Sequence, residues 1–96
     1  MTIIDTHVKP NTYYEISAIL KGHTDGIKTG LVTLYCGDTV ISKEEIAITV
    51  DSFWMTIKRY IKTGNADRLR IELNDVMVLT TRVAYFASNG TWRVQD

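Results

Sequence analysis

Residues 83–94 hold an Asn-Gly pair between two runs that alternate apolar and polar side chains, and they constrain the fold more than any other segment. Asn-Gly favours a two-residue type I′ turn because both central residues must take positive φ. With Asn89 and Gly90 in that turn, Phe86 pairs with Arg93. Side chains alternate along a strand. The segment therefore predicts a hairpin with Phe86 facing outward and with one buried apolar row: Val83, Tyr85, Ala87, Trp92 and Val94.

Length and charge limit the domain count and the partners. The chain has 96 residues with 45% hydrophobic content, which predicts a single domain over residues 1–96. Lys and Arg together number 11, as do Asp and Glu. The overall charge therefore attracts neither nucleic acid nor an anionic membrane, and any such attraction has to be local.

The single cysteine and the N-terminal residues bear on the cellular compartment. Cys36 has no second cysteine to pair with, and its place in the apolar run 31–36 predicts a buried side chain. The first residues lack the basic start and apolar stretch of a secretory signal, and no apolar run is long enough to span a membrane. We expect a cytoplasmic protein without a membrane partner.

The first half of the chain predicts strands. Alternation over residues 13–20 indicates a strand that buries its even-numbered side chains. Residues 21–30 contain three glycines and predict an exposed, mobile loop. A second strand over 31–36 then leads into a Gly37-Asp38 type II′ turn, which pairs Tyr35 with Val40 and Leu34 with Ile41.

Residues 42–63 allow two interpretations at their start. Ser42 and Glu45 form a capping-box pattern that could open a long helix. We favour a strand over residues 46–50, because they are rich in β-branched side chains that alternate. Asp51 or Ser52 then caps a helix over about 52–63, whose apolar stripe is Phe53, Trp54, Ile57, Tyr60 and Ile61.

The last third predicts two long strands around Asn74-Asp75. Leu69, Ile71 and Leu73 form an apolar face. A two-residue turn after Leu73 would turn Val76 and Val78 inward, whereas the final hairpin turns the odd-numbered residues of the same strand inward, so the two alternations are out of phase. Either a bulge at residues 80–82 shifts that phase, or a three-residue turn places Val76 and Val78 beside Phe86.

These elements together predict an α+β domain. The expected order is strand-strand-strand-helix-strand-strand-strand, or βββαβββ, with the helix packed on a mostly antiparallel twisted sheet or incomplete barrel. An N-terminal edge strand can be added to this sheet.

Few residues suggest chemistry. The loop at 22–29 lacks the spacing of a phosphate-binding loop, and Cys36 has no group nearby in sequence to activate a nucleophile. His7 with Asp5, and His23 with Asp25, would bind a metal only if the two segments met. We therefore predict no catalytic, cofactor or metal site, and no enzyme.

Two surfaces are candidates for binding. The leading hypothesis is a small non-enzymatic protein-binding module, such as an inhibitor, adaptor or structural subunit, that also self-associates. It would act through a sheet edge or through the face carrying Phe86, Arg93, Val76 and Val78. The alternative is nucleic-acid binding through the basic helix end and the strand after it, at Lys58, Arg59, Lys62, Arg68 and Arg70.

Overall fold

A computed structural model describes residues 2–95 and contains eight β-strands in two four-stranded antiparallel sheets. Sheet A has the order β1-β6-β3-β4, and sheet B has the order β5-β2-β7-β8. In chain order the strands are β1 (Thr2–His7), β2 (Tyr13–Gly22), β3 (Gly26–Cys36), β4 (Thr39–Val50), β5 (Met55–Lys62), β6 (Arg68–Leu73), β7 (Val76–Phe86) and β8 (Trp92–Val94).

The predicted α+β class with one packed helix and the order βββαβββ is wrong, because residues 2–95 contain no helix. The fold is an all-β sandwich rather than a single sheet or incomplete barrel. The predicted N-terminal edge strand is confirmed as β1, at the edge of sheet A. Within the described residues, no helix is long and apolar enough to cross a membrane.

The core lies between the two sheets because each strand turns alternate apolar side chains inward. Tyr14 and Ile16 of β2 are buried against Leu69 and Ile71 of β6, and Leu20 packs in a second cluster toward the other end of the sandwich. The alternation predicted for residues 13–20 and for 69–73 is therefore confirmed.

Strand β5 occupies the place of the predicted helix. Its pairing with β2 puts Met55, Ile57, Arg59 and Ile61 on the inward side. Arg59 interrupts this alternation of apolar residues. Its guanidinium donates to the Ala47 carbonyl of edge strand β4 at 3.0 Å, which gives that backbone oxygen a hydrogen-bond partner. The helix predicted for residues 52–63 is therefore wrong: its apolar residues are three and four positions apart, but they lie on opposite faces of a strand.

The other connections also differ in part from the predictions. The mobile loop expected at 21–30 is wrong, because β2 and β3 extend through it and leave only a bend at residues 23–25. The strand favoured for 46–50 is confirmed within β4, and so is the pairing of Tyr35 with Val40. A register shift pairs Leu34 with Ser42 instead of Ile41. Cys36 is exposed, not buried.

Strands β6 and β7 do not form a hairpin. They belong to different sheets, and Asn74-Asp75 carries the chain from sheet A to sheet B. The phase shift expected in β7 does occur, but just before residues 80–82: Ile19 pairs with Thr80, whereas Leu20 pairs with Val78. The bulge therefore lies at residue 79.

Candidate functional site

The hairpin between β7 and β8 has a different register from the predicted one. Phe86 pairs with Trp92, not with Arg93. The Ala87 amide donates to the Thr91 carbonyl at 2.8 Å, and Gly90 has a φ of 83°. Since Asn89 does not have positive φ, this is a three-residue loop closed by a left-handed glycine, not a type I′ turn.

The longer loop changes which residues share a face. One extra loop residue reverses the inward or outward direction of every side chain in β8. Trp92 and Val94, predicted to be buried, therefore lie beside Phe86 on the outer face of sheet B and are exposed. Arg93 pairs with Tyr85 and points to the opposite side of the strand.

Four aromatic side chains meet on this outer face, and we call them the aromatic cluster: Tyr13, Tyr60, Phe86 and Trp92. Trp92 lies at the centre, with ring centroids 5.2 Å from Phe86, 5.9 Å from Tyr60 and 6.4 Å from Tyr13. The Phe86 and Tyr13 contacts with Trp92 are edge-to-face, which is a favourable geometry for aromatic pairs. The cluster nevertheless remains exposed, from 37% for Trp92 to 53% for Tyr60.

Small and polar residues lie beneath the cluster. Ala84 and Glu15 pair with each other and share the outward direction of the cluster residues. Even so, Ala84 is fully buried and Glu15 is 7% exposed. Because Trp92 and Tyr60 belong to the two edge strands of sheet B and their rings are in contact, they cover the central strands at this point.

Glu15 is held by two neighbours on the same face. The Tyr60 hydroxyl donates to Oε2, and the Arg82 guanidinium donates to Oε1, both at 3.1 Å. The hydrogen bond to this carboxylate, together with its negative charge, raises the pKa of Tyr60 above 10.0, because a phenolate there would be repelled. Tyr60 is therefore fixed as a neutral hydrogen-bond donor at physiological pH.

The outer face of sheet B carries excess positive charge. By register and alternation, its charged residues are one carboxylate, Glu15, and four cations: Lys21, Lys58, Lys62 and Arg82. Lys21 also stacks against an exposed aromatic ring, with Nζ 4.8 Å from the centroid of Trp54. This face is thus both aromatic and basic, although the whole chain is neutral.

The structure separates the partner-binding residues predicted from sequence. Phe86 is 47% exposed, in the predicted outward direction. Val76 is buried in the core and Val78 packs against it, so neither joins Phe86. Arg93 lies on the other side of β8. Side-chain alternation along the strands could have placed Tyr13, Tyr60 and Trp92 on the same face as Phe86. That step required β5 to be recognised as a strand and the hairpin loop to be given its true length.

The predicted basic group is also divided. Lys58 and Lys62 lie on the outer face of sheet B, whereas Arg59 turns inward. Arg68 and Arg70 lie on the outer face of sheet A and pair with carboxylates: Asp5 at 2.7 Å and Glu72 at 3.1 Å. The Arg68 guanidinium lowers the pKa of Asp5. No continuous patch joins the two sets, because they are on opposite faces of the sandwich.

The two histidine segments do not meet. His7 pairs with Arg68 at one end of β6, whereas the His23 amide donates to the Asp75 carbonyl beyond the other end. Strand β6 separates them by about 17 Å at the usual rise per residue. Among residues 2–95, no group of three or more His, Cys, Asp or Glu side chains could hold a metal ion.

In comparisons with known proteins, the chain matches no family model and no curated protein. Function is therefore inferred from the geometry and charge of the outer face of sheet B.

Proposed function

We propose that this protein is a small non-enzymatic binding module, an inhibitor, adaptor or structural subunit, that docks a protein partner on the outer face of sheet B. The observation that carries the proposal is the exposed aromatic cluster with Trp92 at its centre. Exposed contiguous aromatic surface of this kind is enriched in protein interfaces, and Trp and Tyr dominate their binding energy.

Charge complementarity indicates the chemistry of the partner. Lys58, Lys62 and Arg82 surround the cluster, and the Glu15 carboxylate is already bound by Arg82 and Tyr60. An acidic rim around an apolar contact would complement this surface. Face-to-face self-association would instead bring like charges together, so we propose a different, acidic protein as the occupant.

Nucleic-acid binding is the second candidate function, and one observation favours it. Single-stranded nucleic acid binds to surfaces that combine aromatic rings with cations, which is the combination on this face. The relevant cations would be Lys58, Lys62 and Arg82, without Arg68 and Arg70 on the other sheet.

A cytoplasmic location remains part of the proposal, since an exposed free thiol at Cys36 suits a reducing compartment.

Site-specific photocrosslinking in source cells tests the proposal. Lys58, exposed on the outer face of sheet B, is replaced by benzoylphenylalanine, and Lys43, exposed on the outer face of sheet A, is replaced in a matched control. We expect a protease-sensitive adduct from position 58 only, and its loss when Trp92→Ala is added.

The other outcomes are equally informative. A nuclease-sensitive adduct would replace the protein partner with nucleic acid. An adduct with the mass of two copies, supported by light scattering, would establish self-association. Equal adducts at both positions, or no adduct at position 58, would contradict docking on this face.

A further inference from the structure

An open groove of about 710 Å³ lies at one end of sheet B, beside the aromatic cluster. The connection between β1 and β2 forms one wall, and the loop between β7 and β8 forms the other. Three cationic side chains line it: Lys9, Lys62 and Arg93. No Asp or Glu occurs among the described residues that line it.

Within the described part of the chain, no carboxylate neutralises these cations. None of them forms an ion pair with a carboxylate among residues 2–95, whereas Lys28, Arg68, Arg70 and Arg82 all do. The Lys9 ammonium instead lies over the face of an aromatic ring, with Nζ 5.2 Å from the centroid of Tyr85. Cations that line a groove with no described carboxylate favour an anion, and Arg and Lys bind phosphate by charge-assisted hydrogen bonds.

The remaining lining residues add a second requirement. Phe86 and Tyr13 present half-exposed rings to the groove, which suit a planar, stacking group. Asn11 and Asn89 also line it. Asn89 Oδ1 already accepts from the Thr91 amide and hydroxyl, so this side chain offers its Nδ2 group as a donor to the polar edge of a base. A simple phenyl ring has no polar edge to accept from that donor.

We propose that this groove binds a nucleoside phosphate, with the phosphate at Lys9 and Arg93, which both lie beside Tyr85, and the base against Phe86 and Tyr13. The inference does not depend on the proposed protein partner. Lys9 and Arg93 lie outside the outer face of sheet B, and Tyr60 and Trp92 do not line the groove. Variants of these two pairs therefore distinguish failure of one proposal from failure of the other.

Amide chemical-shift titration of the full chain tests the site with AMP, adenosine, inorganic phosphate and O-phospho-L-tyrosine as probes. We expect AMP to give saturable shifts in the amides of Lys9, Asn11, Thr12 and residues 87–89, with a Kd of about 1 mM or below at low salt. Adenosine and inorganic phosphate should each bind at least about tenfold more weakly, because each lacks half of the recognised group. Added salt should weaken AMP binding.

Substitutions locate the phosphate contacts. Lys9→Gln and Arg93→Gln should each raise the AMP Kd by about three- to tenfold, since each removes one charge-assisted contact. Lys43→Gln, at an exposed position on the outer face of sheet A, should leave it unchanged. Absence of saturable shifts at about 10 mM AMP would overturn the proposal. Equal affinity for O-phospho-L-tyrosine, or equal effects of all three variants, would also overturn it.

Discussion

The Tyr14 hydroxyl links the two sheets at the edge formed by β1 and β8, and removing it tests how this edge is closed. Tyr14 is fully buried. Its hydroxyl accepts from the Lys9 amide at 2.8 Å and donates to Gln95 Oε1 at 2.7 Å. Gln95 Nε2 in turn donates to Thr6 Oγ1 at 3.0 Å and to the His7 carbonyl. Burial raises the pKa of Tyr14, so the hydroxyl remains a donor well above neutral pH.

Tyr14→Phe keeps the ring and removes only the hydroxyl. A lost hydrogen bond costs about 0.5–1.5 kcal/mol, and an unsatisfied buried group costs about 1–3 kcal/mol. Because the Lys9 amide and Gln95 Oε1 both lose their partner at a partly buried site, we expect destabilisation of about 2 kcal/mol. For a domain of this size that corresponds to a Tm lower by about 10 °C.

Urea unfolding of the wild-type and variant proteins measures this difference. The midpoint should fall without a change in the slope m, because the surface exposed on unfolding stays the same. Tyr85→Phe is the matched control: Tyr85 pairs with Tyr14, and its hydroxyl bonds to no described residue. If both variants unfold within about 0.5 kcal/mol of wild type, the hydroxyl does not hold this edge.

Three further predictions concern other parts of the chain. Gly64→Ala should cost about 1 kcal/mol in thermal unfolding because φ at Gly64 is 57°; an unchanged Tm would contradict this. Glu15→Gln removes the charge that raises the pKa of Tyr60, so an absorbance titration should give a Tyr60 pKa closer to 10.0 than in the wild type. In the wild type, the bond from Tyr60 to Glu15 should stabilise the fold at neutral pH, and this stabilisation should be lost as pH rises through the raised pKa of Tyr60. Asp5→Asn should destabilise at pH 6, and the difference should disappear as pH falls through the lowered pKa of Asp5, where its bond to Arg68 is lost; a constant difference down to about pH 2 would contradict this.

Alternation predicted most strands of the sandwich because their apolar residues face a single core. It failed in β5, where Arg59 occupies an inward position and interrupts the pattern. Ile57, Tyr60 and Ile61 then have the spacings of a helix, although Tyr60 lies on the opposite side of the strand from the two isoleucines. A charge is tolerated there because Arg59 remains exposed in an edge strand and its guanidinium donates to the Ala47 carbonyl in the other sheet. A single sequence gives no sign of that contact.

Whether Trp92 belongs to the candidate surface depends on the length of the loop between β7 and β8, which has one residue more than predicted. A two-residue turn at Asn89-Gly90 buries Trp92, whereas the observed three-residue loop exposes it. Asn-Gly is compatible with both loops, because a glycine in the left-handed region is sufficient for the longer one. Phe86 faces outward in either register. Its predicted neighbours were Arg93 and the valines, whereas its ring contacts Trp92, which in turn contacts Tyr13 and Tyr60.

The aromatic cluster is not needed to complete the core. Both buried apolar clusters lie between the sheets, and neither includes Tyr13, Tyr60, Phe86 or Trp92. The cluster instead covers Ala84 and a Glu15 carboxylate that is already bound by two donors. A larger side chain at position 84 should displace the side chains that cover it on the outer face, since Ala84 is fully buried. Large aromatic surface supported by a small residue, outside the core and surrounded by cations, is what a preformed binding face requires.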